Sequence, residues 1–411
     1  MFCYWNTGCP YKYFGAKTPY NFVRGDIRDS LVKITDCEPI SIWAFMRHGK
    51  RNPSEQTAKD MKEAMFIKDY IVTAYENGSS TLCAQDIDNL RNWVLDKNMF
   101  DQLNQLSKEG YEESLGIGRR LKEAFPNLLA ELGKEDYTFR SVKSKWVQDS
   151  IKGFVEGLGS KNLNIDPPKD DYDSLAPYKS CNKYLRDVEK TNETNLEAEK
   201  YQIHSEFLAS KDRLHRRLGI NYPIADVNMI ALWNWCRLTS SGIQNEFSHW
   251  CALFTTEDLK VLEYREDLER YYKNGYGLSM NKIFGETVLS DLLKTFQDAK
   301  IYGKKVTAYF THAPMMDMIY TALGLFKDPY KLTGTERRPD RKWRTSKFST
   351  FSNNLIAVLN RCGKQRYEDY NVVFYLNEEP LRTICKAGVC TWKEFEDKLS
   401  PFLNTNTDFC E

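Results

Sequence analysis

The sequence predicts an α/β protein, a central mixed sheet flanked by helices with an inserted, mainly helical cap. Three observations lead there. Residues 40–46 have the length and the β-branched and aromatic content of a strand buried on both faces, and a second strand from Val306 ends at His312. Each leads to a histidine, His48 and His312, where helix-starting residues take over. Most of the chain between them repeats its apolar residues at helical rather than strand spacing.

At 411 residues the chain exceeds one typical domain, so two or three structural units, or one large domain with an insertion, are expected. Its 58 basic and 57 acidic residues leave a net charge of +1. Nothing in the whole-chain charge calls for nucleic acid or a membrane surface, and any basic site is local. No apolar run approaches the roughly 18 residues that a membrane span needs.

Eleven cysteines, with no Cys-x-x-Cys pair and no Cys/His spacing suited to zinc, read as a disulfide framework. Cys236 with Cys251, and Cys385 with Cys390, are near enough to close short loops, but the connectivity is open. The odd count leaves at least one thiol unpaired or paired with another chain. Asn77-Gly78-Ser79 and Asn192-Glu193-Thr194 are glycosylation acceptor patterns. Together these features indicate a secreted or endomembrane-lumen protein. No signal peptide precedes Cys3, so Met1 is expected to begin either a trimmed chain or a mature form given a start codon.

Taken in order, residues 1–38 read as a loop-rich lead-in containing Cys3, Cys9 and several aromatics. The first strand then runs into Arg47-His48-Gly49. Asn52 can cap a helix, Pro53 suits its first position, and Glu55 stands three after the cap. Strand, glycine turn and helix N-terminus therefore meet within about eight residues. Arg47, His48 and Arg51 stand beside backbone N–H groups and the positive end of a helix dipole, which is an anion site. Guanidiniums grip phosphate oxygens in bidentate fashion, and an imidazole can attack phosphorus. An isolated Arg-His-Gly would read as a solvated basic loop; the strand-to-helix setting favours the site.

Residues 53–75 carry helical spacing through Met61, Met65, Ile67, Ile71 and Val72, and 84–133 continue as amphipathic helices. Gly116-Ile117-Gly118 imitates a phosphate loop but follows a helical pattern and is discounted. Residues 137–142 read as a second short strand. Val147, Ile151, Phe154, Val155 and Leu158 then mark a helix that stops near Gly157 and Gly159. A proline- and acid-rich loop at 166–171 leads into charged helix, and 216–300 stay helical and aromatic. The strand before His312 hands over to a helix starting at Pro314, with Met316, Ile319, Tyr320 and Leu323 on its apolar side. Alone, His312 reads as a core or capping histidine. Paired with His48 on the same kind of turn it reads as catalytic, because ligands gather at the carboxyl ends of strands in α/β sheets.

Arg337, Arg338, Arg341, Lys342, Arg344 and Lys347 surround Trp343 in a basic run, either a solvated loop or a rim that draws a polyanion. A last strand spans 371–376. Residues 1–56, 134–160 and 300–411 are expected to build the core. Residues 57–133 and 161–299 supply the cap and the core-flanking helices.

The run Arg47-His48-Gly49-Lys50-Arg51-Asn52-Pro53 resembles the RHGxRxP signature of the histidine acid phosphatases, the second branch of the histidine phosphatase superfamily. Further blocks are similar to those of the multiple inositol polyphosphate phosphatases, the arthropod members above all. They are residues 172–181 and 259–268, Tyr271-Tyr272-Lys273-Asn274-Gly275-Tyr276-Gly277, and Phe351-Ser352-Asn353-Asn354-Leu355. The likeness covers about residues 9–400.

The resemblance implies the histidine phosphatase fold, a cleft between core and cap, and phosphomonoester hydrolysis through a phosphohistidine at His48. It implies that Arg47 and Arg51 clamp the phosphate, that Ser54 matches a hydroxyl residue after the loop proline, and that His312 donates a hydrogen bond to the transition state. The implied partner is a small-molecule anion, a phosphomonoester or inositol polyphosphate. No metal or cofactor is implied, since arginine and histidine handle the phosphoryl group.

Two positions depart from the pattern. Where the subgroup reads His-Ala-Glu, the glutamate protonating the leaving alkoxide, this chain has His312-Ala313-Pro314; Asp317, about one helical turn on, is the candidate substitute. The third clamping arginine falls on Trp146, which can stack or donate one hydrogen bond but carries no charge. A slip in the alignment would bring Lys145 or Lys143 to that place. Lys50, where the subgroup has a small hydroxyl residue, adds a cation.

General acid catalysis is worth roughly 10²–10⁴-fold, so one reading is a secreted phosphatase with weak or lost turnover. The alternative is a catalytically inactive pseudophosphatase that binds a phosphate-bearing or aromatic small ligand in the same pocket. A storage or secretion component with a fossil site is a third.

Overall fold

In a computed structural model, residues 9–159, 163–169, 173–363, 369–385 and 387–411 are described. Cys3, Asp170, Asp171 and Tyr172, singled out above, lie outside them. The centre is a seven-stranded mixed sheet in the order β2-β3-β1-β4-β5-β6, with β7 paired to β5. The strands are β1 (Cys37–Arg47), β2 (Tyr137–Ser141), β3 (Val306–Thr311), β4 (Asn354–Cys362), β5 (Asp369–Leu376), β6 (Glu379–Pro380) and β7 (Cys390–Thr391). β2, β3 and β1 run parallel, and β4 lies antiparallel between β1 and β5.

The unbroken apolar run in β1 is explained by burial on both faces: Ile42, Trp43, Ala44, Phe45 and Met46 are all buried. Its register with β3 matters most for function. Arg47 stands opposite Thr311, so His48 and His312 leave the carboxyl ends of neighbouring parallel strands side by side. β4 was not anticipated. Residues 355–359 are as deeply buried as β1, and a strand covered on both faces shows no alternation to mark it.

Helices cover the sheet and build the rest. Eight of them are α1 (Glu55–Ala64), α2 (Ile67–Glu76), α3 (Lys108–Ala124), α4 (Lys145–Gly157), α5 (Asp226–Leu238), α6 (Thr256–Asn274), α7 (Ser279–Tyr302) and α8 (Ala313–Ala322), of which α1, α4, α5, α6 and α8 line the site. The helix expected over 53–75 is two, α1 and α2. Nor does α1 start where expected. Ser54 is its cap, because Arg51 bridges to Leu106 and the Asn52 amide donates to Gln105 O, holding 51–52 extended. At the other histidine, His312 is itself the cap and Pro314 falls in the first turn of α8.

Gly116-Ile117-Gly118 lies inside α3, where it serves packing. A Cβ on Gly118 would overlap the carbonyl of Phe154 in α4, so α3 and α4 approach at backbone distance. The basic run at 337–347 is only half solvated: Arg338, Lys342 and Lys347 are exposed, and the other three cations are paired inward. Arg341 pairs with Glu263 and Asp267 at 2.9 and 2.7 Å, and Arg344 with Glu263 at 3.0 Å. Arg337 pairs with Glu206 and Glu257, and Trp343 is fully buried, so the segment is riveted onto α6.

Four disulfides are formed among the described residues: Cys37–Cys362, Cys181–Cys410, Cys236–Cys251 and Cys385–Cys390. Cys9 is free and exposed. Among the described residues no helix is long and apolar enough to cross a membrane.

Candidate active site

The loop after β1 is stapled from every side. The His48 amide donates to Thr311 O at 3.1 Å, and the His48 carbonyl accepts from Ser352 N at 3.0 Å. Ser352 is held at φ 52°, a left-handed conformation unusual for serine, which points to a segment fixed by its surroundings. Gly49 N donates to Ser150 Oγ of α4 at 3.0 Å, and Lys50 N to the buried Glu113 carboxylate of α3 at 2.9 Å. A Cβ on Gly49 would overlap the carbonyl of Gly110, so only glycine lets the loop lie on α3.

His48 is 3% exposed, and its Nδ1 lies 2.8 Å from the carbonyl oxygen of Gly49. A carbonyl only accepts, so Nδ1 carries the proton and Nε2 keeps its lone pair. Burial, then the charges of Arg47 and Arg51, push the His48 pKa well below its ordinary 6.5. Burial thus favours the neutral imidazole, with Nε2 unprotonated. His312 stands 5.8 Å away, ring centre to ring centre, its Nε2 3.0 Å from Ser144 Oγ. Burial, followed by Lys179, Arg51 and Arg47, lowers its pKa as well.

Arg47 is anchored through Nη1 to Ala16 O at 2.6 Å and Ser349 O at 2.8 Å; Arg51 donates to Asn52 O at 2.8 Å and Asn104 Oδ1 at 3.1 Å. Burial, with Arg270 and Arg51 nearby, brings Arg47 down to about 9, and burial brings Arg51 to about 10. Trp146 completes the ring of contacts, 6.3 Å from His48, 5.7 Å from His312 and 5.5 Å beneath the Arg51 guanidinium.

These residues line one cleft of about 1020 Å³. Clefts of about 580 and 800 Å³ elsewhere contain neither His48 nor His312. Lys17, Lys179, Arg237 and Arg265 join Arg47, Arg51 and Arg270 in the lining, against Asp60, Glu189, Glu266 and Glu269. Burial works to raise Glu266, but Arg237 and Lys17 outweigh it and hold the carboxyl at about 2. Four buried N–H donors on the lining have no acceptor: the Nε atoms of Arg47, Arg51 and Arg270, and Nε1 of Trp146. Arg140, Arg217, Trp233, Trp250 and Trp343 leave buried donors without acceptors elsewhere, but here four such donors share one cleft with an excess of cations, an arrangement suited to an anion.

Residues 41–377 match the histidine phosphatase superfamily (branch 2). The chain belongs to that family. It is 28% identical to multiple inositol polyphosphate phosphatase 1 of Drosophila melanogaster over 400 residues, 94% of this chain and 84% of the relative. The human protein of the same name is 26% identical over 408 residues, covering 90% and 82%. Among solved structures, the phytase from D. castellii superposes with a TM-score of 0.76 at 16% identity, covering 98% of this chain and 89% of its own. The Bifidobacterium longum multiple inositol polyphosphate phosphatase in complex with inositol hexasulfate gives 0.69 at 15% identity, covering 97% and 100%. At such identities the two structures bear on the fold.

Within this histidine phosphatase, Arg47, His48, Arg51, His312, Trp146 and Pro314 converge on the cleft, and four other expected residues do not. Lys50 is buried and turned away, its Nζ 2.5 Å from Glu109 Oε2 and 2.6 Å from Ser240 O. Lys145 is exposed and paired with Asp149 along α4. Ser54 spends its hydroxyl capping α1, 3.0 Å from Thr57 Oγ1, and Thr57 rather than Ser54 lines the cleft. Asp317 is fully buried, and its Oδ2 accepts from Arg270 at 2.5 Å. Three residues beyond Pro314 on α8, it falls outside the lining of the cleft. Burial raises its pKa against the opposing pull of Arg270.

Arg270, Lys17, Lys179 and Arg237 were missed. None carries a local signal, because each reaches the cleft through the packing of its own segment. Among the described residues no group of three or more His, Cys, Asp or Glu is placed to hold a metal ion.

Proposed function

We propose that this histidine phosphatase binds a phosphate-bearing small molecule in the cleft and passes its phosphoryl group to His48 slowly, at a rate set by how well the leaving group departs without a proton. Nε2 of His48 would attack phosphorus in line, with Arg47 and Arg51 neutralising the transferring group and His312 donating a hydrogen bond to it. Water would then release phosphate from the phosphohistidine.

The observation that carries the reading is the pairing of an intact His48, Arg47, Arg51 and His312 with Pro314 in the cleft beside His312. Proline has no proton to give. The two α6 carboxylates in the lining are engaged too: Glu266 pairs with Arg237, and Glu269 accepts from Arg265 and Lys273 at 2.9 Å each. With proline beside His312 an alkoxide would find no proton donor at the family's acid position, and Asp60 and Glu189 would be the lining carboxylates left to supply one, whereas a phenolate leaves readily.

The excess of cations, together with the names of the relatives, supports inositol polyphosphates as the ligand class. Trp146, Leu185 and Ile230 in the same lining favour a phosphate carried on an aromatic body as a second class. The four disulfides support a secreted or endomembrane-lumen location. Asn77 and Asn192, both exposed, are open to glycosylation.

The test is phosphate release from inositol hexakisphosphate and from p-nitrophenyl phosphate between about pH 4 and 8, comparing the protein with its His48→Ala variant. Release from the aryl ester that vanishes in the variant, with little from the alkyl ester, is the expected result. A second reading, a silent binding protein, is favoured by Trp146 where a charged clamp is expected. It would prevail if neither ester released phosphate above the variant while inositol hexakisphosphate still bound.

A further inference from the structure

We propose that Arg270 is the third guanidinium of the phosphate clamp, supplying the charge that Trp146 lacks, and that Asp317 is the positioning residue that aims it. The inference rests on the phosphate site proposed above and assigns two residues to it.

Arg270 enters from α6, a different element from the loop that carries Arg47 and Arg51, and lines the same cavity. Its Nη2 donates to Asp317 Oδ2 at 2.5 Å and to Ser349 Oγ at 2.9 Å. The carbonyl of that same Ser349 accepts from Arg47 Nη1 at 2.8 Å. The two guanidiniums thus hang on one residue, and their proximity is the main reason beyond burial that Arg47 is pulled down to about 9. Nε of Arg270 is buried and has no acceptor, as is Nε of Arg47.

A purely structural ion pair between α6 and α8 would not need this arrangement. Three guanidiniums, Arg47, Arg51 and Arg270, converge here, and Asp317 is the carboxylate bonded to one of them. Burial lowers Arg270, but Asp317, Glu266 and Glu269 outweigh it, whereas Arg47 and Arg51 are left lowered, and an arriving anion relieves these gathered like charges further. A transferring phosphoryl group spreads its charge over three equatorial oxygens. Arg47 and Arg51 serve from the loop side, and Arg270 serves from α6. Asp317 cannot reach the lining, so its part is to fix the Arg270 fork. That role also accounts for a carboxylate one turn beyond Pro314 that falls outside the lining.

The experiment is calorimetric titration with inorganic phosphate of the wild type, Arg270→Gln and the double variant Arg270→Gln/Asp317→Asn. The melting temperature of each is measured without phosphate. The double variant removes both charges together, so no carboxylate is stranded and folding is protected. Losing a charge-assisted hydrogen bond should weaken phosphate binding on the order of 10- to 100-fold in both variants. Arg270→Lys, which keeps charge without the fork, should fall between, and Trp146→Arg should restore affinity in the Arg270→Gln background. A merely structural role would lower the melting temperature and leave phosphate affinity within about twofold of wild type, which overturns the inference while the proposed function stands. Absence of phosphate binding by the wild type itself would overturn the proposed function and this inference with it.

Discussion

Replacing Pro314 by glutamate puts the leaving-group argument to a direct test. Pro314 sits in the first turn of α8, two residues past the His312 cap, and it lines the cleft. The first four N–H groups of a helix have no partner within it, so the amide regained on losing proline asks for no new acceptor. The local energetics nearly cancel. Proline pre-organises the chain by about 0.4–1 kcal/mol, while a carboxylate near a helix N-terminus gains about 0.3–1 kcal/mol. Stability should therefore change by less than about 1 kcal/mol.

The chemical effect is far larger. A carboxylic acid able to protonate the leaving oxygen is worth roughly 10²–10⁴-fold, or about 2.7–5.4 kcal/mol of barrier. Steady-state phosphate release from inositol hexakisphosphate and from p-nitrophenyl phosphate would be followed side by side for the wild type and Pro314→Glu. The alkyl ester should gain at least about 100-fold and the aryl ester only a few-fold, because a phenolate needs little help. If the folded variant gained nothing on the alkyl ester while the aryl ester was still cleaved through His48, the missing proton would not be the reason for slow turnover.

Other perturbations follow from the same geometry. Gly49→Ala drives a methyl into the Gly110 carbonyl, so the loop must leave α3; the variant should lose phosphate binding, and calorimetric titration would show it. Glu113 accepts from Lys50 N, Tyr20 N and Ser352 Oγ, each at 2.9 Å. Burial, then the charge of Glu109, raises its pKa from 4.5 to about 7. The stability it contributes is complete below pH 4.5 and lost as pH rises through about 7, so the difference in melting temperature between wild type and Glu113→Gln should shrink across that window. His48 and His312 act with the opposite sign. Each is held neutral by burial, so stability falls as pH drops below 6.5, and His48→Gln should flatten that acid limb. Removing the Cys37–Cys362 bridge, which joins residues 325 apart in sequence, should cost about 2–5 kcal/mol, seen as a lower denaturation midpoint with both cysteines changed to serine.

Residues close in sequence announced themselves, because backbone propensity and local spacing act over a few positions. The apolar run of β1, the glycine after His48 and the strand-to-helix handover at His312 can each be read without knowing what packs on them. The short-range bridges Cys236–Cys251 and Cys385–Cys390 belong to the same class. The family resemblance was legible for the same reason, since its motifs are short runs on those turns.

Which way a long side chain turns was not legible, because that depends on partners far off in the chain. Lys50 follows the histidine by two residues yet reaches Glu109 and Ser240, and Lys145 stays outside with Asp149. Asp317 was a candidate substitute for the missing acid, one helical turn past Pro314, and the structure bonds it to Arg270, 47 residues earlier. β4 was hidden because burial on both faces erases alternation, and the basic run looked free until α6 supplied its carboxylates. The sequence by itself determined the two strands that lead to the histidines, the turns after them and the histidines they present, since those follow from local stereochemistry. Only the tertiary structure decided which charges face the cleft, because each buried charge settles where a distant partner can meet it.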